Sequence, residues 1–126
     1  MLAYVDTSCL VAIAFRERGA GAVATRLRRF EQLLASNLLE AELRSALVRE
    51  GVADSGRDLL SWITWVYPNR PLTPEFDRII ATGYVKGADL WHLATALFLA
   101  PSGKGLSFLT LDGRQKVVAA SLGFGT

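Results

Sequence analysis

The chain reads as an α/β domain built on a mostly parallel sheet, and three observations carry that reading. Strand-like apolar runs alternate with helical apolar periods along all 126 residues. The runs are short, as in Leu106-Ser107-Phe108-Leu109-Thr110, which suits strands covered by helices. A hydrophobic fraction of 51% points to elements buried on both faces, or to an additional apolar surface for a partner.

Taken in order, a strand over 2–5 gives way to a helix over 8–16. After a glycine-containing joint come a helix over 20–31 and a strand over 33–36. A helix over 38–50 stops at Gly51, a helix over 55–65 forms a helical hairpin with it, and 66–72 runs extended. Pro74 suits the first turn of a helix over 74–83, with Thr73 as its N-cap. A helix over 89–100 is stopped by Pro101-Ser102-Gly103, and a strand over 106–110 and a helix over 113–122 complete the chain before Gly123. The hairpin is more helix than a minimal doubly wound domain needs, so it is expected to protrude or to form an interface. Length, and the absence of a linker or repeat, predict one domain over residues 1–126.

Cys9 is the only cysteine, which excludes an intrachain disulfide, and its apolar neighbours make it a small core group. No basic segment precedes the first apolar stretch and Asp6 interrupts it, so no secretory signal is expected. The apolar segment from Leu90 to Ala100 is too short to cross a bilayer. A cytoplasmic protein with no membrane partner is the expectation. The net charge of +2 is modest; setting four of the 12 acids aside as one site leaves 8 against 14 basic side chains, an excess of +6. Such a surface either steers a polyanion towards a metal-filled pocket or is ordinary solubilising arginine.

Four acids stand out. Asp6 lies at the junction of the first strand and helix, where an acid either caps the helix or holds a cation at the sheet's carboxyl edge. Thr7 and Ser8 are also available to cap. Glu40 stands four residues before Arg44, a solvent-facing ion pair, whereas Glu42 falls in the arc of Leu38, Leu39, Leu43, Ala46 and Leu47. A carboxylate aimed at a core needs a cation or donors; otherwise Glu42 snorkels beside Arg49. Asp89 opens a helix with almost no charged surface, which must be buried, so Asp89 enters the interior as N-cap, as ligand, or as both. His92 follows at i+3, but the chain has no second histidine, which favours a structural hydrogen bond over ligation. Asp112, in Thr110-Leu111-Asp112-Gly113, repeats the opening arrangement, although Asp-Gly is also an ordinary turn. The remaining acids, Glu17, Glu31, Glu50, Asp54, Asp58, Glu75 and Asp77, read as solvated.

Tyr4-Val5-Asp6-Thr7-Ser8, Leu39-Glu40-Ala41-Glu42-Leu43, Ala88-Asp89-Leu90-Trp91-His92-Leu93-Ala94-Thr95-Ala96 and Leu109-Thr110-Leu111-Asp112 together resemble the PIN-domain ribonucleases, specifically the VapC-type toxins of prokaryotic toxin–antitoxin pairs. The resemblance implies a three-layer α/β/α fold and a metal-dependent endoribonuclease. It implies a Mg²⁺ or Mn²⁺ site made by Asp6, Glu42, Asp89 and Asp112, with Ser8 and Thr110 orienting the ligands. It also implies RNA (tRNA, rRNA or mRNA) as substrate, a homodimer, and a VapB-like antitoxin that covers the groove. Gln115, where the family usually has an apolar residue, and Trp91, where it has an aliphatic one, depart from the pattern. Arg16 and Arg18, which flank a loop, and Arg26 and Arg29, spaced i, i+3 on a helix, are expected to contact the RNA backbone. Part of the group Trp62, Trp65 and Tyr67 could serve dimerisation or antitoxin docking.

A receiver domain or a HAD-type phosphatase also places an Asp after its first strand. The HAD pattern needs a second Asp where this chain has Ser8, and a receiver needs an acidic pair that is not apparent. A Rossmann cofactor domain would want a glycine-rich turn where Thr7-Ser8-Cys9 stands. The serious alternative is a PIN-like module that binds RNA or protein without cutting. The catalytic reading requires the four carboxyls to converge near one cation.

Overall fold

Four strands, β1 (Leu2–Val5), β2 (Gln32–Ser36), β3 (Ile63–Val66) and β4 (Leu106–Leu109), pair in parallel in the order β3-β2-β1-β4. The structure is a computed structural model and describes residues 1–126. Seven helices join the strands: α1 (Thr7–Ala14), α2 (Ala20–Leu27), α3 (Leu38–Arg49), α4 (Arg57–Leu60), α5 (Thr73–Thr82), α6 (Gly87–Leu99) and α7 (Gly113–Ser121). The predicted α/β class, with a parallel sheet between helical layers, is borne out. No helix is long and apolar enough to cross a membrane.

The strand order fixes where a ligand can enter. From β1 the chain steps outward to β2 and β3, whereas the connection from β3 to β4 travels back across the sheet. Right-handed crossovers place helices of opposite travel on opposite faces. The crossovers therefore diverge between β1 and β4, and their carboxyl ends open a crevice there. Asp6 immediately follows β1, and Thr110 to Asp112 follow β4.

The centre of the sheet is sealed. Ala3, Tyr4, Val5 and all four residues of β4 are buried, and Tyr4 stacks on its register partner Phe108 with ring centroids 5.4 Å apart. The outer edge of β4 is covered by the chain itself: Phe108 N–H donates to the Gly125 carbonyl at 2.7 Å, and Gly125 N–H to Leu106 at 3.3 Å. Two glycines make that return possible. Gly103 (φ +75°) and Gly123 (φ +99°) touch backbone to backbone, and a Cβ on Gly103 would lie 2.5 Å from the Gly123 carbonyl carbon. Gly103→Ala should cost about 2 kcal/mol, read as a lower urea midpoint at unchanged slope. A midpoint equal to the parent's would show that the crossing relaxes freely.

The helix expected over 20–31 ends at Leu27, and two further elements differ from expectation. The helix over 55–65 is one turn, α4, followed by strand β3, so the long hairpin with α3 does not form. Ile63-Thr64-Trp65-Val66 is β-branched and aromatic, and pairing with β2 outweighs the short apolar period that suggested a helix. The N-cap of α5 is Leu72, not Thr73; Thr73 is the first helical residue, and no side chain caps this end.

Candidate active site

At the carboxyl end of β1 the parallel ladder continues by one bond, Asp6 N–H to the Leu109 carbonyl at 2.9 Å, which locks the start of α1 beside the end of β4. Asp6 is buried, 4% exposed, and is the N-cap of α1. Its Oδ2 accepts from Ser8 N–H at 3.2 Å, the Ser8 hydroxyl at 2.6 Å and the Thr110 hydroxyl at 3.1 Å. The cap and ligand readings are thus compatible, because capping engages only one oxygen. Ser8 Oγ also accepts from Leu111 N–H at 3.0 Å, tying the loop after β4 to Asp6.

Asp112 caps α7 in the same way, its Oδ1 accepting from Gln115 N–H at 3.0 Å, but it is exposed. Gln115 is fully buried. Its Oε1 lies 2.8 Å from the Thr110 hydroxyl, and its Nε2 donates to the Asp89 carbonyl at 3.4 Å. With one proton, Thr110 serves Asp6 or Gln115 but not both at once. Gln115 thus links the first turns of α6 and α7, a role that an apolar residue at this position lacks.

Glu42 reaches the same end of the sheet from α3. Its Oε1 accepts from the Thr7 hydroxyl at 2.7 Å and pairs with His92 Nε2 at 2.7 Å. Behind it, Ser36 N–H donates to the Tyr4 phenol oxygen at 3.0 Å, and that phenol lies 2.7 Å from His92 Nδ1. Ionised Glu42 can only accept, so Nε2 carries the proton that donates to it, and in the neutral ring Nδ1 accepts from the Tyr4 hydroxyl. Burial pushes the Tyr4 pKa up to about 12, so it stays a donor. Burial alone would raise Glu42; the hydrogen bonds from His92 and Thr7 outweigh it and hold the carboxyl below its ordinary range. His92 does make the structural hydrogen bond expected of it, and the bond orients an acid of the site.

Asp89 lies in the first turn of α6, whose N-cap is Lys86, so the N-cap reading of Asp89 is corrected. Its carboxyl takes no protein donor. Desolvation, followed by the charges of Asp6 and Asp112 and a smaller push from Glu42, raises its pKa to about 6; His92 acts in the opposite direction. An acid whose folded pKa exceeds the unfolded value binds the extra proton in the folded state, so metal-free stability falls as pH rises from about 4 to about 6. Asp89→Asn should therefore stabilise the metal-free protein at pH 7 by up to about 1 kcal/mol after solvent screening, read as a higher melting temperature in chelator, and change little at pH 4. An equal effect at both pH values would refute the charge crowding.

The four carboxyls thus share one electrostatic field while differing in their hydrogen bonds. Asp6 Oδ1, Glu42 Oε2, Asp112 Oδ2 and both Asp89 oxygens carry no protein donor, and none is sealed from solvent. This donor set of hard oxygens suits Mg²⁺ or Mn²⁺. As the side chains stand, however, no three acidic, histidine or cysteine groups are close enough to hold one metal ion.

Other predicted residues lie as follows. Arg16 and Arg18 follow the far end of α1, about 12 Å along its axis from Asp6. Arg26 donates to the carbonyl of Thr126 and is not free. Arg29 lies beyond the end of α2, which corrects its placement on one helix with Arg26. Glu40 pairs with Arg44 at 3.1 Å, as expected. Glu75 is not solvated: it is buried and takes two bonds from Arg70 at 2.9 and 2.7 Å, which hold its carboxyl below the usual range. Tyr4, Thr7 and Gln115 belong to the network without having been assigned to it; the one signal in the sequence was the polar character of Gln115 where an apolar residue was expected.

A search of curated proteins returned no match. The family model described as PIN domain matches residues 3–121, which takes in all four acids and all four strands except Leu2. The chain therefore belongs to the PIN-domain family, whose members are generally nucleases that act on nucleic acid with divalent metal ions.

Proposed function

We propose that the chain is a VapC-like toxin, an endoribonuclease dependent on Mg²⁺ or Mn²⁺ that a VapB-like antitoxin neutralises. The observation that carries this reading is the PIN-domain match over residues 3–121 on a fold that sets Asp6 and Asp112 at the crevice between β1 and β4; desolvation and the charges of Asp6, Asp112 and Glu42 raise the Asp89 pKa there. Charge crowding of this kind is relieved when a cation binds. A divalent cation held by these carboxyls would supply Lewis-acid chemistry to a phosphodiester and to an attacking water. The chain's own residues prepare for it. Asp6 presents Oδ1 while Ser8 and Thr110 hold Oδ2. Glu42 presents Oε2, ionised and held by His92 and Thr7, to bind the cation or to position the water. Asp89 and Asp112 supply the remaining oxygens. RNA cleavage that appears with Mg²⁺ or Mn²⁺ and vanishes with chelator is the expected result, and light scattering tests the proposed homodimer.

One observation favours a second reading, a module that binds RNA or protein without cutting it: the carboxyls do not close around a common point unaided. Metal binding by calorimetry, with no cleavage across total RNA, tRNA and unstructured RNA, would select that reading.

A further inference from the structure

Beside the acids an open aromatic ring is paired with a guanidinium. Tyr84, between α5 and α6, is 70% exposed, and the Arg114 guanidinium carbon lies 5.7 Å from its ring centroid. Gly83, Val117 and Val118 line a shallow hollow of about 480 Å³ around the pair. Connectivity places this patch next to the site: Arg114 is two residues after Asp112, and exposed Lys86 stands between Tyr84 and Asp89. An acid cluster repels a polyanion, so cations at its rim offset that repulsion as a strand approaches. An exposed aromatic face accepts any base by stacking, and arginine can both stack and pair with phosphate.

We propose that this patch binds single-stranded RNA at the mouth of the acid cluster, with a base stacked on Tyr84 and phosphates paired with Arg114 and Lys86. The inference rests on the ribonuclease reading above and adds to it the residues that hold the strand. Ile80 and Val117, 62% and 66% exposed, would also suit a protein partner. The cations and the open ring favour RNA.

Binding of a labelled, unstructured RNA oligonucleotide, followed by fluorescence anisotropy in chelator, tests the patch without cleavage. Tyr84→Ala should weaken binding on the order of tenfold, and Tyr84→Phe should retain it because the ring face remains. Arg114→Gln should lower the slope of log K against log salt by about 0.7. Melting curves equal to the parent's would establish that all three variants are folded. If Tyr84→Ala and Arg114→Gln both bind as the parent does, the patch is overturned while the nuclease reading stands. A parent that neither binds RNA nor cleaves it with Mg²⁺ or Mn²⁺ overturns both. RNA affinity unchanged by the variants, with self-association of the parent lost in them, would make the patch a protein contact and end the RNA assignment.

Discussion

Asp6→Asn should leave the fold intact and lower RNA cleavage by a factor on the order of 10²–10³. The substitution keeps the shape of the side chain, so an amide oxygen can take the place of Oδ2 and still accept from Ser8 and Thr110. What changes is the other atom, which becomes an N–H donor where a cation ligand is required. Circular dichroism should show an unchanged spectrum, and a gel assay should show the loss of cleavage. The same variant removes the larger of the charges acting on Asp89, so the Asp89 pKa should fall. Full cleavage by a preparation free of contaminating nuclease would sink the proposed chemistry.

The second large effect belongs to His92→Ala. His92 is fully buried, with Tyr4 on one ring nitrogen and Glu42 on the other. Truncation leaves a cavity and removes a partner from the Tyr4 phenol, and should cost about 3 kcal/mol. It also frees Glu42, so cleavage should fall about 10–100-fold, the range seen when a group orienting a metal ligand is lost. The stability loss should appear in urea unfolding of the metal-free protein, and the rate loss at a temperature where the variant is fully folded. A variant as active as the parent at that temperature would show that Thr7 alone holds Glu42.

Patterns local in the chain were the legible ones. Alternating apolar runs revealed β1, β2 and β4, and the helical arc that contains Glu42 separated it from Glu40. The segment Ile63 to Val66 was ambiguous because four apolar and β-branched residues suit a buried helix and a strand equally; only β2, about thirty residues earlier, decides between them. The ligand-orienting network lay beyond such reading. Tyr4 and His92 are 88 positions apart, and Thr7 and Glu42 are 35 apart, so no spacing rule connects them. Glu75 was misread for the same reason: charge near a helix start suggests solvent, and its burial depends on the two-bond clasp of Arg70. Gln115 looked like a departure from pattern until its partners Thr110 and the Asp89 carbonyl were in view.

The bond from Thr110 to Asp6 joins positions 104 apart, and the pairing of β1 with β4 is equally long in range. During synthesis Asp6 is made well before β4, and this acid has neither its ladder bond to Leu109 nor its Thr110 partner until β4 has been made. Contacts of such separation form late. The growing polypeptide therefore carries an unassembled centre while the residues between Asp6 and β4 are made, and any capacity to cut RNA arises only after the message encoding β4 has been read.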